Sequence, residues 1–222
     1  MPKLKMSWPN RITVARIMLI VPFVIAMLHL NDPQYSPWSR YGALAIFLLM
    51  AFSDALDGFL ARRLNSATPL GSFLDPLADK LLIICTCLLL SAGPTAVSGM
   101  ELPSAVVVII IGKDLFTVLG FVIIYLVTSE VTISPAKTGK LSTDLQLAMV
   151  IAILISPDVM RVFGGFKYVV HLLWWAAAAV AVATTIVYTR LGSRILNEYE
   201  QRQKQKKNLK NNPPTERKPI DS

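Results

Sequence analysis

Four aspartates fall between residues 54 and 79 of a chain that is otherwise mostly apolar, in the stretch SDALDGFLARRLNSATPLGSFLDPLADK from Ser53 to Lys80. The whole chain of 222 residues is 54% hydrophobic with a mean hydropathy of +0.53. A carboxylate at the centre of a membrane helix costs about 2.5–3.5 kcal/mol on insertion scales, so four unpaired ones would cost roughly 10 kcal/mol or more. A pair of bound divalent cations is the natural compensation. Residues three or four apart share a helical face, so Asp54 pairs with Asp57 and Asp75 with Asp79. Two such helices facing each other would close four carboxylates around one small volume.

The apolar share exceeds the about 45–50% of ordinary soluble domains, and the charged share, 16%, falls below their usual ~25%. This is the composition of a polytopic membrane protein. Cys85 and Cys87 lie two apart in an apolar run and point in different directions on a helix, which suggests neither a disulfide nor a metal pair. The net charge of +8 resides largely beyond Arg190. Such a tail suits anionic headgroups better than nucleic acid, and no nucleic-acid partner is expected. Met1 to Trp8, with Lys3, Lys5 and Trp8, reads as a short interfacial segment. The apolar run after it has no small-residue cleavage site, so it is expected to stay in the mature protein.

Apolar runs punctuated by proline and glycine predict six spans, at about Thr13–Leu30, Tyr41–Arg62, Ser72–Ala92, Ser104–Val127, Lys140–Ile155 and Tyr168–Thr189. Asn10 is placed as a helix cap, Pro22 as a kink, Ser66–Leu70 as a turn and Ser156-Pro157-Asp158 as a loop. The fold class is therefore all-α and polytopic, with a membrane domain over residues 1–195 and a basic, disordered tail over 196–222. Lysines and arginines concentrate in the N-terminal segment, the second and fourth loops and the tail; the other loops carry only Arg40, Arg161 and Lys167. By the positive-inside rule, both termini and the aspartates face the cytoplasm of a cell (inner) membrane.

Carboxylates without a nearby histidine or cysteine describe a hard, oxygen-liganded site, for Mg²⁺ or Mn²⁺ rather than zinc. Gly58 and Ala61 follow Asp54 by four and seven positions and keep its helical face clear of bulk, so a phosphate-bearing ligand can approach the backbone. Arg62 at the helix end can pair with a phosphate. Arg16, three residues into the first span, is either a snorkelling cation or one set beside a phosphate. Aspartates at helix ends also occur in ion-coupled transporters. Six spans with no internal repeat is small for alternating access.

The pattern Asp54-x2-Asp57-Gly58-x2-Ala61-Arg62-x8-Gly71-x3-Asp75-x3-Asp79 resembles the full signature of the CDP-alcohol phosphatidyltransferases. The resemblance implies transfer of a phosphatidyl group from CDP-diacylglycerol to an alcohol, with release of CMP. It implies that Asp54, Asp57, Asp75 and Asp79 hold two metal ions, that Asp79 is also the general base, and that Gly58, Ala61, Arg62 and Gly71 bind the CDP-lipid. The opening PNRITVAR and the spacing Lys140-x2-Thr143-x2-Gln146 are similar to members whose acceptor is glycerol 3-phosphate or phosphatidylglycerol. Arg16, Lys113 and Lys140 are then expected to form a cationic acceptor pocket, although Lys113 could instead pair with Asp114. Glycerol 3-phosphate is the expected acceptor and phosphatidylglycerol the alternative. Lys113-Asp114 stands where bacterial members using glycerol 3-phosphate usually show Arg-Glu, and Phe121 where they show a second arginine. The family is commonly dimeric, so a homodimer among membrane lipids is a further expectation.

Overall fold

The structure, a computed structural model, describes residues 8–64, 69–128 and 137–211. Within these ranges the side chains of 8–12, 36–37, 55–64, 69–77, 79, 121, 125, 128, 137, 203 and 205–211 lie outside the description. The described residues form six helices: α1 (Trp8–Leu28), α2 (Ser36–Leu64), α3 (Pro69–Ser91), α4 (Ser104–Thr128), α5 (Lys137–Val162) and α6 (Phe166–Asn211). No strand occurs among them. Three helical stretches are long and apolar enough to cross a membrane, Ser104–Ile124, Thr138–Val162 and Phe166–Arg202. Thr13–Leu28 and Lys80–Ser91 are shorter apolar segments.

Each helix turns one stripe of residues inward, at the three- and four-residue spacing of a helical face. On α1 the stripe is Thr13, Arg16, Phe23 and Met27; on α2 it is Ala43, Phe47 and Met50. On α5 it is Ser142, Gln146, Met149, Val150 and Ile153, and on α6 Val170, Trp174, Ala177 and Ala181. The outward residues are equally apolar, as Leu115, Leu119 and Leu126 of α4 illustrate. Apolar residues on both faces suit helices whose solvent is lipid. α6 packs most closely on α5 and then on α4, while α1 packs on α2 and α3. Small residues let helices approach: an ideal Cβ on Gly139 would fall 2.5 Å from the Tyr188 hydroxyl.

Three expected boundaries move. The loop expected at Ser156-Pro157-Asp158 is helix, since α5 runs on to Val162. Proline has no N–H for the carbonyl four residues back, here that of Ile153. The Ser156 hydroxyl donates to that same Ile153 oxygen at 2.7 Å, so the helix passes through the proline with the acceptor satisfied. At the other end of the chain, α6 does not stop with the apolar run near Thr189 and continues to Asn211. Asn10, expected as a cap, is the third residue of α1, and Pro9 occupies the first turn, where a missing N–H costs nothing. The segments 1–7, 65–68 and 212–222, including most of the expected interfacial segment and of the Ser66–Leu70 turn, lie outside the described residues.

Two polar clasps hold the end of the bundle where α1 finishes and α4 begins. Asn31 donates its side-chain amide to the carbonyls of Pro94 at 3.0 Å and Ala96 at 2.9 Å and accepts from the Ser98 hydroxyl at 3.1 Å. Gly99, at φ 76°, makes the turn that follows, a conformation glycine adopts without a Cβ penalty. Arg40 of α2 pairs with Asp158 of α5 at 2.9 Å, and the Tyr41 hydroxyl donates to the same oxygen at 3.1 Å.

Candidate active site

The signature aspartates sit toward the opposite end of the bundle. Helix α2 is unbroken through Asp54, Asp57, Gly58, Ala61 and Arg62, and α3 through Gly71, Asp75 and Asp79. On continuous helices the spacings of three and four put each aspartate pair on one face. The side chains of Asp57, Gly58, Ala61, Arg62, Gly71, Asp75 and Asp79 lie outside the described residues. Asp54 is described, and its carboxylate accepts from Arg16 Nη1 at 2.7 Å. Arg16 is 1% exposed and Asp54 48%. The inward stripe of α1 carries Arg16 into the bundle, so it does not snorkel toward solvent.

A second polar group lies deeper. Asp114, 1% exposed on α4, takes an ion pair from Lys80 of α3 at 2.7 Å and another from its own neighbour Lys113 at 2.6 Å. Among the described residues neither Asp114 oxygen has a hydrogen-bond partner. At these distances the attraction is electrostatic all the same, and stronger in a dry interior than at a surface. Lys113 Nζ also donates to the hydroxyl of Ser142 on α5, at 3.4 Å. Lys113 thus meets both partners through one ammonium, while Lys140, in the first turns of α5, is exposed. An apolar groove of about 380 Å³ opens between α4 and α6 beside the Lys113 stem, walled by Val108, Phe116, Val182 and Ile186. Gly112, with no side chain, deepens it.

Three participants were not singled out from the sequence: Lys80, Asp114 as a shared anion, and Ser142. Lys80 closes the aspartate stretch, and its adjacency to Asp79 was the available signal. Ser142 and Asp114 stand on different helices, and nothing in their spacing announces the meeting. Cys85 and Cys87 are both free; Cys87 is buried and Cys85 partly so.

An all-helical bundle with stretches long and apolar enough to cross a membrane defines the class, and sequence comparison defines the family. Residues 6–191 match the CDP-alcohol phosphatidyltransferase family, and the chain belongs to it. A Bacillus subtilis (strain 168) protein named CDP-diacylglycerol--glycerol-3-phosphate 3-phosphatidyltransferase is 35% identical over 154 residues, covering 66% of this chain and 76% of its own. A Rickettsia typhi protein of the same name is 32% identical over 181 residues, 81% of this chain and 93% of its own. A cardiolipin synthase (CMP-forming) from Oryza sativa subsp. japonica is 30% identical over 209 residues, 88% of this chain and 60% of its own.

Proposed function

We propose that the protein transfers the phosphatidyl group of CDP-diacylglycerol to glycerol 3-phosphate, giving phosphatidylglycerophosphate and CMP. The observation that carries this reading is the buried Arg16 guanidinium held against Asp54, the first aspartate of the signature. The names of the Bacillus and Rickettsia relatives support it. In this reading six helices cross a cell membrane with both termini and the site on the cytoplasmic side. Residues 1–195 form the catalytic domain and 196–222 a basic tail, and two copies associate.

The donor set fits a hard divalent cation: it is oxygen only, and Asp54 keeps about half its surface open while paired with Arg16. Asp54, Asp57, Asp75 and Asp79 would hold it. When bound, two Mg²⁺ or Mn²⁺ ions supply charge neutralisation at the lipid-linked pyrophosphate. Gly58, Ala61 and Gly71 admit that pyrophosphate close to the backbone, and Arg62 pairs with its phosphate. Asp79 takes the proton of the acceptor hydroxyl as the oxygen–phosphorus bond forms. The bond from phosphorus to the CMP oxygen breaks, and CMP leaves. Arg16, Lys113 and Lys140 hold the phosphate of the acceptor.

A second reading, with phosphatidylglycerol as acceptor and cardiolipin as product, is favoured by the groove beside Lys113. Its apolar walls suit an acyl chain, and a lipid acceptor has chains to place there, whereas glycerol 3-phosphate has none. One assay separates the two: purified protein with CDP-diacylglycerol and Mg²⁺ is given either acceptor and CMP is followed, with and without a chelator. CMP from glycerol 3-phosphate that stops on chelation is the expected result. CMP from phosphatidylglycerol alone would select the second reading, and CMP from neither would overturn both.

A further inference from the structure

The inward stripe of α5 contains one long polar side chain that the bundle leaves unsatisfied. Gln146 is 0% exposed, and among the described residues neither its Nε2 nor its Oε1 has a hydrogen-bond partner. Several other buried polar side chains are satisfied by their own helices: Thr86 donates to the Leu82 carbonyl at 2.7 Å, Thr184 to that of Val180 at 2.7 Å, and Ser156 to that of Ile153. Trp174 Nε1 and Thr138 Oγ1 are also unpartnered, but each is a single atom. Gln146 presents a donor and an acceptor together. A buried amide left without partners is a costly arrangement, and native interiors leave few of them.

Its position gives the amide a use. Gln146 follows Ser142 by one helical turn on the same face, about 6 Å along the axis. The Ser142 hydroxyl faces Lys113 Nζ at 3.4 Å. The amide therefore lies one turn further into the bundle than the lysine to which the transferase reading gives the acceptor phosphate. Next to a phosphate, glycerol 3-phosphate and the headgroup of phosphatidylglycerol share one feature: a pair of adjacent hydroxyls, of which one attacks and the other stays. The hydroxyl that stays both donates and accepts, which is what a primary amide needs.

We infer that Gln146 is a specificity-determining residue whose side-chain amide binds the non-attacking hydroxyl of a glycerol-type acceptor. The inference rests on the transferase reading above and adds to it a selection for adjacent hydroxyls over a simple alcohol. A site built to bind a hydroxyl rejects the analogue lacking it far more strongly than an apolar pocket distinguishes sizes, because its own polar groups are then left unpaired.

The test compares each acceptor with its counterpart built on 1,3-propanediol, which keeps the attacking hydroxyl and the phosphate and lacks the middle hydroxyl. For glycerol 3-phosphate that counterpart is 3-hydroxypropyl phosphate. The unaltered protein is expected to favour the natural acceptor in kcat/KM by about ten-thousandfold. In Gln146→Leu and in the more flexible Gln146→Met, the preference is expected to fall to within about threefold, with the KM for CDP-diacylglycerol unchanged. A purely structural glutamine would lower both acceptors equally and leave the ratio standing, and that result overturns the inference. No preference in the unaltered protein would overturn it too. CMP from neither natural acceptor would instead sink the transferase reading, and this inference with it.

Discussion

Arg16 Nη1 lies 2.7 Å from Asp54 Oδ1, joining a fully buried cation on α1 to a half-exposed carboxylate on α2. The pairing fixes the carboxylate from behind and leaves its outer side free. Arg16 is therefore a positioning residue for Asp54. Arg16→Lys keeps the charge and loses the planar fork. It is expected to lower the turnover of CMP by about ten- to a hundredfold while the melting temperature in detergent moves little. Wild-type turnover in Arg16→Lys would show that Asp54 needs no such support.

Asp114 answers two ammonium groups, those of Lys80 and Lys113, from a site that is 1% exposed. Removing one partner of a buried ion pair leaves an uncompensated charge, a loss of about 3–5 kcal/mol. Asp114→Leu is expected to destabilise the protein by that order in thermal unfolding. Adding Lys80→Met should recover part of the loss, because one of the two cations goes with it. A double variant no more stable than the single one would contradict the shared-anion arrangement.

Asn31 ties the turn after α1 to the segment before α4 through the carbonyls of Pro94 and Ala96. Its loss in Asn31→Ala is expected to cost about 1–2 kcal/mol in unfolding experiments, since a net hydrogen bond contributes about 1 kcal/mol and the site is partly open. CMP release should stay at the wild-type rate, because the clasp is at the far end of the bundle from Asp54. A fall in turnover without a fall in stability would mean that the two ends communicate.

Asp79→Asn is expected to insert into membranes normally and to release CMP at less than about a thousandth of the wild-type rate. Asparagine keeps the shape and can neither accept the acceptor's proton nor bind a cation as a charged ligand. Normal CMP release from this variant would remove Asp79 as the base.

The sequence made the helices readable because proline and glycine bound each apolar run, and because the aspartate spacings repeat those of a helical face. Pro157 misled for a physical reason: its cost is met by one hydroxyl, on Ser156, whose bond to Ile153 is invisible in the residue order. The cation cluster was half legible. Lys113 and Asp114 are neighbours and their pairing was an open alternative, but Lys80 reaches the same carboxylate from another helix, which only packing reveals. Gln146 stood out in the sequence only by its spacing from Lys140, and its lack of partners belongs to the folded bundle alone.

Helix α6 runs without interruption from Phe166 to Asn211. At 1.5 Å per residue its 46 residues measure about 69 Å, more than twice the hydrocarbon thickness of a bilayer. Arg190, Arg194, Arg202 and Lys204 consequently occupy fixed heights and bearings on one rod, rather than positions averaged over a loose chain. A single residue inserted after Thr189 would swing every one of them by about 100° around the axis while changing no charge.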